Sequence, residues 1–265
     1  MLLVTPRLIR EQIVFIGAGS VATHFARKLK TFGFKIRQVF SRSLESAQAL
    51  ADHLNCQYTT DIKEVVRDAD IYFFSLPDHV LPEILQEIPP NNGLWVHTSG
   101  SLSVDVFSNY SQRYGVIYPL QTFSKQHIID LLDVPMLVEA NHVQYTIKLL
   151  EIASWMSRRV ELMSSEKRKY VHLAAVFACN FSNHLYHIAT QILKSQDVDW
   201  EILQPLICET ALKLCDMPPD KAQTGPAVRG DTATIEQHLS LLADENMRKL
   251  YAMMTENIQN QHKKE

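Results

Sequence analysis

Only four cysteines occur in 265 residues. None stands in a C-x-x-C pair or at zinc-finger spacing from two histidines. That argues against a disulfide framework and calls for no metal; reduced thiols, as in a cytosolic protein, fit best. Charge of one sign is also lacking. The formal net charge is -3, so nothing points to nucleic acid as a partner. Two short basic runs, Lys167-Arg168-Lys169 and Lys263-Lys264, read as a solvated helix face and a chain end. No apolar run reaches the ~18 to 20 residues that span a bilayer. Met1 to Gln12 is too short and too charged for a secretory leader. Repeats and low-complexity segments are missing too. What these absences leave is a cytoplasmic protein with no membrane partner. Its balance of 46% hydrophobic and 21% charged residues is that of an ordinary globular chain.

What is present is an alternation of strands and helices over the first 160 or so residues. Ile13 to Ile16 is a continuous apolar run, as a strand buried on both faces requires. A helix comes next from Val21 to Thr31, then a strand at Ile36 to Phe40 and a helix at Leu44 to Leu54 with Ser43 as N-cap. Further strands are expected near Gln57-Tyr58, at Asp70 to Leu76, at Leu94 to Thr98, at Val116 to Tyr118, at Met136 to Val138 and at Arg159 to Leu162. Helices are expected at Val80 to Ile88 and Val143 to Met156. The pattern predicts an α/β fold with a doubly wound, mostly parallel sheet. Beyond Ser164-Ser165 no strand is expected. One long helix is read from Glu166 to Leu193, another over Trp200 to Cys215, and helix again from Thr234 to the C-terminus. The chain thus divides into residues 1–164 and an all-α region, 165–265.

The strongest chemical signal is Gly17-Ala18-Gly19-Ser20-Val21-Ala22, placed between the first strand and the first helix. Gly17 lets the chain turn sharply, Gly19 lets a pyrophosphate approach the backbone, and Ala22 lets the helix lie close on the sheet. The helix N-terminus offers N–H groups and a positive dipole end to phosphates. This context makes the motif a dinucleotide fingerprint rather than a turn that merely needs glycine. The second strand ends Phe40-Ser41-Arg42-Ser43. NAD-binding chains tend to carry an acid there for the ribose hydroxyl, whereas Arg42, with Ser41 and Ser43, can hold a 2′-phosphate. NADP is therefore preferred over NAD; the alternative for Arg42 is a solvated surface arginine. The strand ends Leu76-Pro77-Asp78 and Thr98-Ser99-Gly100 should border the nicotinamide, or else serve only as loops.

Taken together, these residues resemble the extended group of two-domain reductases with a Rossmann domain and a 6-phosphogluconate-dehydrogenase-like helical domain. Pyrroline-5-carboxylate reductase, ketopantoate reductase and F420-dependent NADP oxidoreductase belong to it. Within it the chain resembles the Rossmann-like, DUF2520-containing group labelled putative NADP oxidoreductase. The carrying segments are Ile13 to Ala22, His97 to Ser101, Tyr118 to Phe123, and Thr224 to Asp231 with His238. The resemblance implies a reductase of a small carbonyl or imine, with the substrate in a cleft lined by the first helix of the helical domain. It also implies a homodimer through the C-terminal helices, where Leu173, Phe177 and Phe181 supply apolar surface. F420 is a further cofactor option, without a motif of its own.

In several relatives that helix carries a lysine four residues before an asparagine, as the proton donor. Asn180 matches the asparagine, but Val176 stands in the lysine position and cannot transfer a proton. The catalytic candidates are therefore His172, Asn180, Asn183 and His184. At α-helical spacing His172, Cys179, Asn183 and His187 fall near one face, and Asn180, His184 and His187 on an adjoining stripe. Histidine titrates near working pH and can act as a general acid; the alternative is a polar face that only bonds its neighbour. Arg229 can bind a substrate carboxylate, or pair with Asp231, or cap a helix. Gln121, Thr122 and Asp231 complete the candidate substrate contacts. Val176 also keeps open a second function: binding NADP(H) without turnover, as a redox sensor or scaffold.

Overall fold

Eight strands form one sheet in the order β3-β2-β1-β4-β5-β6-β7-β8. This is a computed structural model, and it describes residues 11–262. The N-terminal segment up to Arg10, read from sequence as no leader, and the Lys263-Lys264 pair lie outside the described residues. The strands are β1 Gln12–Ile16, β2 Lys35–Phe40, β3 Gln57–Thr59, β4 Ile71–Phe74, β5 Leu94–His97, β6 Tyr114–Pro119, β7 Met136–Ala140 and β8 Val160–Leu162. Every pairing is parallel except β6 with β7. Helices α1 Ser20–Thr31, α2 Leu44–Leu54, α3 Leu81–Glu87 and α4 Val143–Met156 connect them. The doubly wound, mostly parallel expectation holds.

Alternation along β1 shows why this run needs no polar residue. Ile13 and Phe15 join one buried cluster with Phe25, Leu29 and Phe73. Val14 and Ile16 join the other, with Phe74, Trp95 and Phe107. In α1 the buried Ala22, Phe25, Ala26 and Leu29 recur at helical spacing, so one stripe meets the sheet. Ser43 caps α2 by accepting from the Ser46 N–H at 3.3 Å, and Asn55 ends that helix in the left-handed region at φ 51.

After β8 the described residues hold no strand. The long helix is present as α5 Ser165–Ala175 and α6 Ser182–Lys194, but a π-helical stretch, Val176–Phe181, joins them. The wider π turn rotates α6 relative to α5, so the faces drawn at uniform α-helical spacing do not persist. The second expected helix has 3₁₀ ends, Trp200–Leu203 and Lys213–Cys215, around α7 Gln204–Leu212. Short helices α8 Pro219–Ala222 and α9 Pro226–Arg229 come after it. The C-terminal helix is also divided, into α10 Thr232–Leu241 and α11 Glu245–His262. The Asp244 side chain accepts from the Met247 N–H at 2.8 Å, starting a new helix where one was expected to run on.

The chain forms two compact units, meeting in sequence between His184 and Leu185. Helix α5 belongs to the first, and a buried polar cluster explains why. Arg168 is fully buried, which corrects the reading of Lys167-Arg168-Lys169 as a solvated face. Its guanidinium donates to Glu139 Oε2 of β7 at 2.8 Å, to the Leu102 carbonyl at 2.6 Å and to Ser165 Oγ at 3.0 Å. Ser165 in turn donates to Glu139 at 2.6 Å and accepts from the Val104 N–H at 2.8 Å. No helix among the described residues is long and apolar enough to cross a membrane. All four cysteines are free.

Candidate functional site

Strand order reverses between β1 and β4, and the fingerprint turn sits at that switch, outside the carboxyl ends of the strands. Gly17 has φ +113, and its N–H donates to the Phe40 carbonyl at 2.8 Å. A Cβ there would lie 2.3 Å from the Ser75 carbonyl oxygen, so only glycine passes. At Gly19 the surroundings are open: a Cβ would meet nothing nearer than 4.0 Å. No side chain caps α1, and its first turn holds no acid. A bare helix N-terminus with open space at Gly19 suits an approaching diphosphate. Ala18 and Ala22 are buried and serve packing.

A cavity of about 930 Å³ opens from this turn. It joins Gly19, Ser20 and Val21 to Ser75, Leu76 and Asp78 after β4, to Thr98, Ser99 and Gly100 after β5, and to Tyr118 through Phe123 at the end of β6. Helix α5 and the π-helical stretch close the far wall with His172, Ala175, Val176, Cys179 and Asn180. The fold thus gathers most of the residues expected from sequence around one space, with Gln121, Thr122, His172 and Asn180 on the side away from the fingerprint. Pro77 is not among the lining residues. Asn183 and His184 are not either; they lie beyond the π-helical stretch.

Ser41, Arg42 and Ser43 sit at the β2–α2 turn, outside this cavity. The Ser41 hydroxyl accepts from the Ser43 N–H at 3.3 Å, and Arg42 lies exposed, 3.4 Å from Glu83. An exposed pair of this kind is weak, so Arg42 can exchange its partner for a phosphate. Lys125, which the sequence reading passed over, reaches the same turn, with Nζ 3.3 Å from Ser46 Oγ. Its loop is anchored on α1. His24 bonds the Ser20 carbonyl through Nδ1 at 2.7 Å, accepts from the Ile129 N–H at 3.4 Å and stacks edge-on against Phe123. Arg229 and Asp231 lie in the second unit. Asp231 caps α10, accepting from the Thr234 N–H at 3.1 Å and hydroxyl at 2.7 Å, and these bonds hold its carboxyl below the usual range.

Around the cavity mouth the polar groups are tied to one another. Ser101 donates to Asp78, Ser99 Oγ accepts from the Ser101 and Leu102 N–H groups at 3.1 Å each, and Thr98 donates to Ser75 Oγ at 3.4 Å. Deeper, Tyr118 Oη lies 3.1 Å from His172 Nδ1, with the rings edge-on. A Cβ on Gly100 would stand 2.8 Å from both rings. Burial pushes the Tyr118 phenol up, partly opposed by the Arg168 guanidinium. His97 is buried beneath; its Nδ1 accepts from the Ser99 N–H at 3.2 Å. Burial, then the charge of Arg168, push it down to about 3, slightly opposed by the Ser103 backbone. Sequence reasoning missed Tyr118, Ser75 and Arg168 as members of one site. The cue available for Tyr118 was its place at a strand's carboxyl end, beside Pro119.

Known proteins share this layout. Residues 12–98 match the family described as "NADP oxidoreductase coenzyme F420-dependent", and residues 134–258 match "Domain of unknown function (DUF2520)". No curated protein matches the chain. Among solved structures, the putative NADP oxidoreductase BF3122 of Bacteroides fragilis is 42% identical, with TM-score 0.89, over 95% of this chain and 98% of that one. Protein TM1727 of Thermotoga maritima is 23% identical with TM-score 0.72, over 95% and 98%. An imine reductase of Myxococcus stipitatus, solved with NADP+, shares the fold at 14% identity and TM-score 0.68, over 94% and 93%. Identity at the level of the Bacteroides protein, over almost the full length of both chains, settles kinship: the chain belongs to the family of Rossmann-like, DUF2520-containing putative NADP oxidoreductases.

Proposed function

We propose that the protein is an NADP(H)-dependent reductase of a small carbonyl or imine. One observation carries the reading: a single cavity runs from the fingerprint at Gly19 to the Tyr118–His172 pair. A dinucleotide laid on α1 would direct its nicotinamide toward Ser75, Thr98 and Gly100, and a substrate beyond it would meet Tyr118, Gln121, Thr122, His172 and Asn180. NADPH, when bound, supplies the hydride. The family description that matches residues 12–98 and the NADP+ complex of the imine reductase support this choice of cofactor; NAD and F420 rank behind it. Arg42, Ser41 and Ser43 would hold the 2′-phosphate.

Among the described residues the cavity wall carries no lysine or arginine, and its one carboxylate is Asp78. A neutral carbonyl or an imine suits these groups better than an anion does. The expected carboxylate on the substrate therefore rests on Arg229 alone. In this reading residues 1–164 hold the cofactor, and 165–265 supply substrate and dimer contacts. Tyr170, Leu173, Phe177 and Phe181 of the first unit are all at least half exposed, which fits burial in a homodimer. The test is NADPH oxidation, followed by absorbance, across a panel of ketones, keto acids and cyclic imines. Turnover of at least one class is expected. Tight NADPH binding with no turnover would favour the second reading, a sensor or scaffold, which Val176 in the lysine position motivates.

A further inference from the structure

The proton donor of the proposed reduction need not come from the lysine position at all. We infer that Tyr118, the residue before the last of β6, donates the proton to the substrate, and that His172 holds and reprotonates it. This rests on the reductase reading and adds to it a residue that the sequence did not single out.

Four observations carry it. Both side chains line the cavity that begins at the fingerprint, so a substrate there can touch the phenol. Their polar atoms are in hydrogen-bond contact at 3.1 Å. The pair is fixed from below: Gly100 fills the space under both rings so tightly that a methyl group would stand 2.8 Å from each. Its helix is fixed as well, because Arg168, one turn before His172, is buried and bonded to Glu139, Leu102 and Ser165. The rest of the helical wall is Val171, Ala174, Ala175, Val176 and Ala178, with the Cys179 thiol and the Asn180 amide further along. On that wall His172 is the residue whose ring nitrogen meets the Tyr118 hydroxyl.

The chemistry balances. The substrate carbon receives the hydride with its two electrons, and the substrate oxygen or nitrogen takes the Tyr118 Oη proton as that O–H bond breaks. The phenolate then takes the proton from His172 Nδ1 as Nε2 takes one from solvent, so the ring stays neutral throughout, and exchange with solvent returns the proton to Nδ1. When Nδ1 carries its proton it donates to Tyr118 Oη, which leaves the phenol's own hydrogen free for the substrate. Burial keeps the phenol protonated until it reacts, while Arg168 steadies the transient phenolate. Other charges around the pair are Asp78 at the cavity mouth, bonded to Ser101, and Glu139, already paired with Arg168.

The experiment compares wild type, Tyr118→Phe and His172→Asn on whichever panel substrate the wild type reduces. Melting temperature and NADPH affinity are measured for each. Tyr118→Phe removes one oxygen and should keep both, yet lower kcat roughly 100-fold or more. His172→Asn retains a hydrogen-bonding group beside Oη but cannot pass on a proton. It should lower kcat about tenfold with KM for NADPH unchanged, and raise the solvent deuterium isotope effect. Tyr118→Phe turning over within about threefold of wild type would overturn the inference and leave the reductase reading intact. A wild type that binds NADPH but reduces nothing would overturn both. A fall in NADPH affinity equal to the fall in kcat would show a structural role and also overturn it.

Discussion

Acidification should find a specific weak point at His97. The ring is buried, and its pKa is pushed down to about 3 by burial and then by the neighbouring Arg168 charge. In the unfolded chain the same ring titrates near 6.5. Below that pH the unfolded state binds a proton that the native state refuses, so stability falls as pH falls from about 6.5 toward 3. Between about pH 7 and about pH 4.5 the loss from this one group is roughly 2 to 3 kcal/mol, because the native ring stays almost wholly neutral over the whole interval. Carboxylates contribute as well, so the comparison is with His97→Asn. There the amide oxygen can replace Nδ1 as acceptor for the Ser99 N–H. The substitution leaves a cavity beside Phe107, whose ring centre lies 5.6 Å from that of His97. That cost does not depend on pH and cancels in the difference. Urea unfolding is followed through Trp95, which packs on Phe107. Wild type should lose roughly 2 to 3 kcal/mol more than the variant across this pH interval. Equal losses in the two proteins would refute the reasoning.

Two further substitutions test the scaffold of the site. Gly17→Ala combines a positive φ with a Cβ 2.3 Å from a backbone oxygen, and neither can relax cheaply; denaturant unfolding should show a loss of roughly 3 kcal/mol or more. Arg168→Met strands the Glu139 carboxylate under α5 and should cost about 3 to 5 kcal/mol. Adding Glu139→Gln should restore part of it, and no recovery in the double variant would speak against the pairing.

Much of the fold was legible because its signals are local. The run Ile13 to Ile16 had to be buried on both faces, Ser43 had to cap a helix, and Gly17 stands where no other residue fits. The fingerprint could likewise be placed from its neighbours in the chain. The π-helical stretch at Val176–Phe181 could not, since its residues have no pattern that separates a π turn from an α turn. For that reason the helix faces drawn through Asn183 and His187 do not continue that of His172, which precedes the stretch and lines the cavity. Burial of Arg168 depends on Glu139, far away in sequence, so a run of three basic residues looked like surface. The Tyr118–His172 contact spans 54 positions and two element types; only the folded chain puts those rings together. The break between α10 and α11 was missed because Asp244 acts as a cap inside an otherwise helical sequence.

Everything functional depends on NADP being received by the turn at Gly19 together with Arg42. Titration calorimetry of the purified protein with NADP+ and NAD+, repeated on Arg42→Ala, addresses this most directly. NADP+ should bind the wild type at least about tenfold more tightly than NAD+, and the variant should lose that preference while keeping its NAD+ affinity. Heat from neither nucleotide would contradict the account.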